Sequence, residues 1–524
     1  MPVPTVSTAG ARIAQFLLVA FLSIFALKLF EARDVFYMLH NSVRADLPAF
    51  WVRPQPSGMG TPQCRNLYGV PVPDERAYLK EESTGVRVQL TEACEDVHLS
   101  EELGIAIFTC DPGRPAWNAV LGPAREPHWR GGLWILDYKT APFEQEPTLL
   151  NVEDLPDHHD FHPLGITIYE VSPKLARLFV VNHRGIANVL EVIDLQKDAG
   201  VWRARYVRTI AHPLGTHASN SVEALDRNEV VVTNMHTGME RQVAQPYLER
   251  TLQGLYGVWS KRLAPYFYGK KFKNQVQFVE DLFGGGWIAH IKFEDRVPMP
   301  HDEDLDAWEK GVEAHVIARG IPFANGLSLT PGHRHLVAAS TTVTGVVIFP
   351  IERWTDDGTP DWADPKVLGR RTVVPTPFFA DNVEVIAPKP GSRVRADDPL
   401  QGAKILVAGH PSLPDLHDML AHLGEGAPNE HRAPSWAVEI SYTGTQQEDQ
   451  APLPAHERIT GVPHGWTVRT LFQTDGKRNL IDGKTMELPT SCGVAWDSSG
   501  EGHGTLIVTG LYSAAPMLCR GVYV

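Results

Sequence analysis

From about Val86 to the C-terminus the chain reads as short apolar runs separated by turn residues. They include GIAIFT (Gly104 to Thr109), GLWILDY (Gly132 to Tyr138), ARLFVVN (Ala176 to Asn182) and EVVVT (Glu229 to Thr233). Later ones are GVVIF (Gly345 to Phe349), KILVA (Lys404 to Ala408) and GTLIVT (Gly504 to Thr509). Many short strands at modest spacing, with few long helical periods, predict an all-β barrel, sandwich or propeller. A strand series over about 440 residues is too long for one sandwich. A propeller, at about 40 to 70 residues per four-stranded blade with its loops, accommodates it. The exceptions read as insertions, near 240–315 and 385–460. Arg241 to Tyr268 carries Val243, Tyr247, Leu252, Leu255, Trp259 and Leu263 at helical spacing, which predicts an amphipathic helix. A second helical stretch is expected around Leu416 to Leu423, and Pro388 to Gln401 and Gly424 to Ser435 read as exposed loops.

The N-terminus adds a compartment. Ile13 to Leu27 is apolar except for Gln15 and Ser23 and lies between Arg12 and Lys28. Such a run is shorter than the about 20 residues of a full span, yet long enough for a signal-type core. Residues 1–35 are therefore read as an uncleaved signal-anchor on the secretory route. A cleaved signal peptide with a secreted product and a soluble amphipathic helix are the alternatives. The 524-residue composition, 43% hydrophobic and 21% charged, supports a real core, and the net charge of −14 with no basic run argues against nucleic-acid binding. No two of the cysteines, Cys64, Cys94, Cys110, Cys492 and Cys519, have C-x-x-C spacing, which disfavours zinc or thioredoxin chemistry. A Cys64–Cys519 bond would close the body into a ring. Cys94 and Cys110 flank an expected hairpin that sets them opposite each other, leaving Cys492 unpaired.

The chain has no G-x-S-x-G elbow, no H-E-x-x-H and no Walker loop, and Gly284 to Gly286 reads as a turn. Instead, four segments place an acid or amide just before a strand: Cys94-Glu95-Asp96-Val97, Ser219-Asn220-Ser221-Val222, Phe323-Ala324-Asn325-Gly326 and Ala380-Asp381-Asn382-Val383. Each alone is an ordinary turn signal. Together, Glu95, Asn220, Asn325, Asp381 and Asn382 make a hard, oxygen-only set of the kind Ca²⁺ takes. Positions this far apart in sequence converge only if each comes from a different blade near an axis.

These segments, with FHPLGI (Phe161 to Ile166), VVNH (Val180 to His183), Asn220 to His236, FANGLSLTPG (Phe323 to Gly332), ADNV (Ala380 to Val383) and GHP (Gly409 to Pro411), resemble the paraoxonase/arylesterase family in order and spacing. The resemblance runs from about Cys64 to Cys519. It implies a calcium-dependent six-bladed propeller over 60–524, with a retained N-terminal anchor and a Cys64–Cys519 disulfide. Glu95, Asn220, Asn325, Asp381 and Asn382 fall on the family's catalytic calcium ligands. Asp96 and the Ile166 carbonyl fall on a second, structural calcium site, where Ser221 replaces an aspartate. Leu164 stands where the family carries its water-activating histidine. His183 matches the histidine that orients it, His410 a cavity histidine, and His236 a further family position. His162, two residues before Leu164, shares a face with it, while His158, His159 and His217 read as surface-loop residues.

The implied function is hydrolysis of a small hydrophobic ester or lactone. Ca²⁺ polarises the carbonyl with help from Asn220 and Asn325, and Glu95 or Asp381 acts as carboxylate base or nucleophile because Leu164 cannot serve. A carboxylate on calcium is a weak base, so slow turnover on simple aryl esters is expected. The alternatives are a non-catalytic calcium-stabilised propeller that binds a hydrophobic ligand or partner, and a strictosidine-synthase-like or gluconolactonase-like activity.

Overall fold

The apolar runs are continuous, not alternating, because both faces of each strand are buried. In the strand Leu175–His183, Leu178 and Val180 pack into one apolar seam while Phe179 and Val181 pack into the next. This is the period-two geometry of a strand between two covered sheet faces. The computed structural model describes residues 12, 15–23, 46–55, 61–73, 79–80, 87–115, 130–155, 161–184, 187–236, 284–295, 305–342, 345–389, 391–423, 429–445, 447–481, 483–498 and 504–524.

Six sheets, antiparallel apart from the short parallel edge strand Val152–Glu153 of the second, form the blades of a β-propeller, and their innermost strands follow one another in chain order. These inner strands are Cys94–Ser100, Pro163–Ser172, Ser219–Asp226, Ala324–Leu329, Phe379–Ile386 and Ser491–Asp497, in blades 1 to 6. Six apolar clusters fill the six junctions between neighbouring blades, including that between blade 6 and blade 1, so the ring has no open face. Closure comes from the N-terminal side. Gln63–Asn66 pairs antiparallel with Met517–Val522 and supplies the outer strand of blade 6, with Cys64 directly opposite Cys519 and bonded to it. Cys94 and Cys110 face each other across blade 1 and are also bonded, while Cys492 is a free, buried thiol. A further short strand, Trp51–Val52, adds to the edge of blade 5.

The propeller frame runs through both stretches expected as insertions. Gly286–Phe293 and Val312–Ile321 are strands of blade 3, and Lys404–His410 and Ser435–Tyr442 are strands of blade 5. Here β-type runs resume after each irregular stretch. The helix expected over Arg241 to Tyr268 lies outside the described residues, as do His158 and His159. The second expected helix spans Leu413–His422. Ser412 caps its N-terminus by accepting from the Asp415 amide at 3.2 Å, and Leu416 and Met419 pack against Ala433, Cys492, Leu511 and Tyr512. Residues 15–23 are helical, with Phe16, Leu17 and Phe21 exposed. No helix among the described residues is long and apolar enough to cross a membrane.

Candidate metal centre on the propeller axis

All six inner strands break register at the same place. Two residues oppose one on the neighbouring strand: Glu95-Asp96, Leu164-Gly165, Asn220-Ser221, Asn325-Gly326, Asp381-Asn382 and Cys492-Gly493. Such a bulge re-aims side chains locally, and six equivalent bulges put six residue pairs at one level around the axis. What the sequence shows as an acid or amide before a strand is thus a bulge within one. In blades 1, 3 and 6 the freed amide donates to a threonine on the next strand: Asp96 to Thr109 Oγ1 (3.0 Å), Ser221 to Thr233 Oγ1 (3.0 Å) and Gly493 to Thr509 Oγ1 (2.9 Å). The glycines allow the inner strands to touch. A Cβ on Gly165 would sit 2.6 Å from Ser221 Cα, one on Gly326 2.5 Å from Asn382 Cα, and one on Gly493 3.1 Å from Asp96 Cα.

The five oxygen-bearing side chains are all buried at this level. Asn325 Nδ2 donates to Thr341 Oγ1 (3.0 Å) and to Asp381 Oδ1, Asn382 Nδ2 to Glu95 Oε1 (3.1 Å), and Asn220 Nδ2 to Met235 Sδ (3.3 Å). Their amide nitrogens are therefore committed and their oxygens are not. Glu95 Oε2, Asn220 Oδ1, Asn325 Oδ1 and Asn382 Oδ1 are buried acceptors with no hydrogen-bond donor. One orphaned buried acceptor costs about 1–3 kcal/mol. Four of them at one level, beside the Asp381 carboxylate, fit a hard cation that takes oxygen ligands. The carboxylates demand a counter-charge as well. Burial, then the charges of Asp96 and Asp381, push Glu95 well above the usual carboxylate range against the opposing Arg114. Burial likewise pushes Asp96 up to about 7, although the Ile166 and Val97 amides favour its ionised form.

The residues of the second expected site lie beside the first. Asp96 Oδ1 accepts from the Val97 amide (2.9 Å) and Oδ2 from the Ile166 amide (3.2 Å), and Ser221 packs against Gly165. Farther along the same strands, Glu223 is raised to about 8 and Glu384 well above its ordinary range, both chiefly by burial. Neither stands out in the sequence.

The histidines divide by partner. His410 Nε2 lies 3.0 Å from Asp381 Oδ2, and its buried Nδ1 has no hydrogen-bond partner. The His183 ring bonds the Ser219 carbonyl (2.7 Å), next to Asn220. His162 is buried with Nδ1 at 2.9 Å from Asp111 Oδ2, and its amide donates to Asn182 Oδ1 (2.8 Å). His236 meets the Phe323 ring edge-on at 4.7 Å, and His217 is half-buried and stacked on Trp287 at 5.9 Å. Leu164 is buried in the seam between blades 2 and 3, with Phe179, Val181 and Val222. Sequence reasoning missed Asp111 and Arg114, whose guanidinium donates to the Pro163 carbonyl (2.7 Å) and the Ala93 carbonyl (3.3 Å). Both lie after Cys110 in a turn with no motif, and only the fold sets them against blade 2.

No family model and no curated protein matches the chain. Among solved structures it is similar to a luciferin-regenerating enzyme, at 11% identity over 87% of this chain and 99% of that one, with a TM-score of 0.36. It is similar to a gluconolactonase from Xanthomonas campestris, at 12% identity over 91% and 96%, with a TM-score of 0.36. It is also similar to regucalcin, a calcium-binding protein from Agrobacterium tumefaciens, at 8% identity over 82% and 90%, with a TM-score of 0.32. Likenesses this distant carry no statement about the chemistry at the axis, which rests on the residues themselves.

Proposed function

We propose that this propeller is a calcium-dependent hydrolase of small apolar carboxylic esters or lactones, similar in chemistry to the paraoxonase/arylesterase family. The observation that supports it is the set of four partnerless buried oxygens, on Glu95, Asn220, Asn325 and Asn382, beside an Asp381–His410 pair. Glu95, Asn220, Asn325, Asp381 and Asn382 would hold the ion. A bound Ca²⁺ supplies a Lewis acid for the substrate carbonyl.

The chain's own contribution is a proton acceptor. Asp381 offers Oδ1 to Asn325 and Oδ2 to His410, so neither oxygen is the better base. His410 is. Its Nε2–H points at Asp381, which fixes the tautomer, and Nδ1 is left to take a proton from water. Asn325 and Asn382 orient Asp381 and Glu95 through their amide nitrogens. His183 holds the Ser219 carbonyl and with it the bulge that aims Asn220. Membrane anchoring through Ile13 to Leu27 belongs to this reading, and carbonate-resistant sedimentation of a chain that retains Met1 tests it.

The apolar burial of Leu164 favours a second reading, a calcium-stabilised propeller that binds a hydrophobic ligand without hydrolysing it. Assay of purified protein on a panel of lactones and aryl esters, with calcium and with chelator, separates the two. Hydrolysis that needs both calcium and His410 supports the enzyme. A calcium-dependent melting temperature with no hydrolysis of any panel member overturns it in favour of the binding module.

A further inference from the structure

A second donor cluster lies outside the axial set and has different chemistry. Asp418 and His422 are one turn apart on the helix Leu413–His422, and His431 closes the short turn Asn429–His431 that leads towards the strand Ser435–Tyr442. His431 Nδ1 lies 2.9 Å from Asp418 Oδ2 and His422 Nδ1 3.9 Å from Asp418 Oδ1. The two imidazoles are stacked, with centroids 3.7 Å apart and planes within 11°. One donor atom from each residue lies within 4.8 Å of the others. A single Asp–His hydrogen bond accounts for His431. His422 Nδ1 makes its own hydrogen bond, to the Asp418 backbone carbonyl at 2.8 Å, and the parallel stack of the two imidazoles brings a donor atom from each ring to the Asp418 carboxylate.

We propose that Asp418, His422 and His431 form a binding site for a divalent transition metal of the zinc type. Donors at about 2.0–2.2 Å from a tetrahedral ion are about 3.3–3.6 Å apart, and the separations of 2.9 and 3.9 Å fall on either side of that value. Small rotations of the two rings exchange the present hydrogen bonds for coordination. Two imidazole nitrogens and one carboxylate oxygen suit zinc, where the axial oxygen set suits calcium. The three side chains are each 30% exposed, so an ion has a way in and a fourth position is left for water. The ion would clip the end of the helix to the chain beyond it. Leu416 and Met419 of that helix pack with Cys492, a residue of the blade 6 bulge, so the clip would hold the helix against that bulge.

The test uses the full chain without a histidine tag, stripped with chelator and then held in excess Ca²⁺ to saturate the axis. Calorimetric titration with Zn²⁺ is expected to show one ion per chain, and Co²⁺ to give the intense visible bands of a four-coordinate ion. The His422→Ala/His431→Ala variant should bind at least about 100-fold more weakly, and Asp418→Asn about 10-fold more weakly, with the calcium-dependent melting transition retained. Zinc binding equally tight in wild type and double variant overturns the proposal. If the double variant fails to fold, the cobalt spectrum of the wild type decides: weak six-coordinate bands refute the site whatever the variants do.

Discussion

His410 is held by one ring nitrogen and presents the other, and that asymmetry makes it the side chain to test first. On the proposed mechanism His410→Gln removes the proton acceptor but leaves the oxygen-bearing side chains at the axis in place. It is expected to lower kcat about 10²- to 10⁴-fold with little change in calcium affinity, read from progress curves and a calcium titration of the melting temperature. Asp381→Asn removes a ligand charge and the partner of His410 together, so it should lower both. Elsewhere one charge is structural. Glu439 is fully buried among Arg53, Lys404 and Arg469, and although burial alone would raise it, the three cations hold it well below the usual carboxylate range. A depressed acid contributes stability that is complete above its unfolded value and is lost as pH falls through the folded one. Its contribution is therefore fully present at neutral pH. Glu439→Ala leaves three cations facing one another and should cost about 3–5 kcal/mol in denaturant unfolding at pH 7.

The element that builds the site is the bulged inner strand, and its glycines are as specific as its acids. A Cβ on Gly326 would lie 2.5 Å from Asn382 Cα and 2.6 Å from the Val383 amide nitrogen, contacts with backbone that cannot swing away. Gly326→Ala should therefore cost about 1–3 kcal/mol through overpacking and also weaken calcium binding, because the strand it displaces carries Asp381 and Asn382. A loss of stability with unchanged calcium affinity would show that the bulges are not mechanically linked to the ligands. The strands themselves were legible in the sequence, because a run such as Leu178 to Val181, buried on both faces, is apolar at every position. The five oxygen-bearing side chains that the structure buries at one level were legible too, as acids and amides that interrupt the apolar pattern. Their setting was not. That Asp381 meets His410 follows from the register of one strand on another, and that Asp111 meets His162 from the packing of blade 1 on blade 2; no local pattern encodes either. The edge strand Trp51–Val52 is invisible for the same reason, being only an annex to blade 5.

At the scale of the whole molecule the ring is closed twice, by the Gln63–Asn66 strand with its Cys64–Cys519 bond and by whatever charge neutralises the axis. Cys64→Ser tests the first closure, and about 2–4 kcal/mol of stability should be lost in non-reducing denaturant unfolding. The second has a sign that can be worked out. Buried among the inner strands, Glu95 and Glu384 are raised well above their ordinary values, Glu223 to about 8 and Asp96 to about 7. For each of them the folded chain binds more protons than the unfolded chain at neutral pH, so without a cation stability falls as pH rises. The useful window is about pH 7 to 8.5. It lies above the titration of ordinary histidines, and above the range, from about 4 up to the ordinary histidine value, in which His98, lowered to about 4 by burial, opposes the trend. In chelator, the melting temperature should decline steadily across that window. With saturating Ca²⁺ the carboxylates at the axis are ionised in the folded state as well and the decline should flatten, so the gap between the two curves widens as pH rises. Parallel curves, or a chelated chain that grows more stable towards pH 8.5, would mean that the axial carboxylates are neutralised by something other than a bound cation.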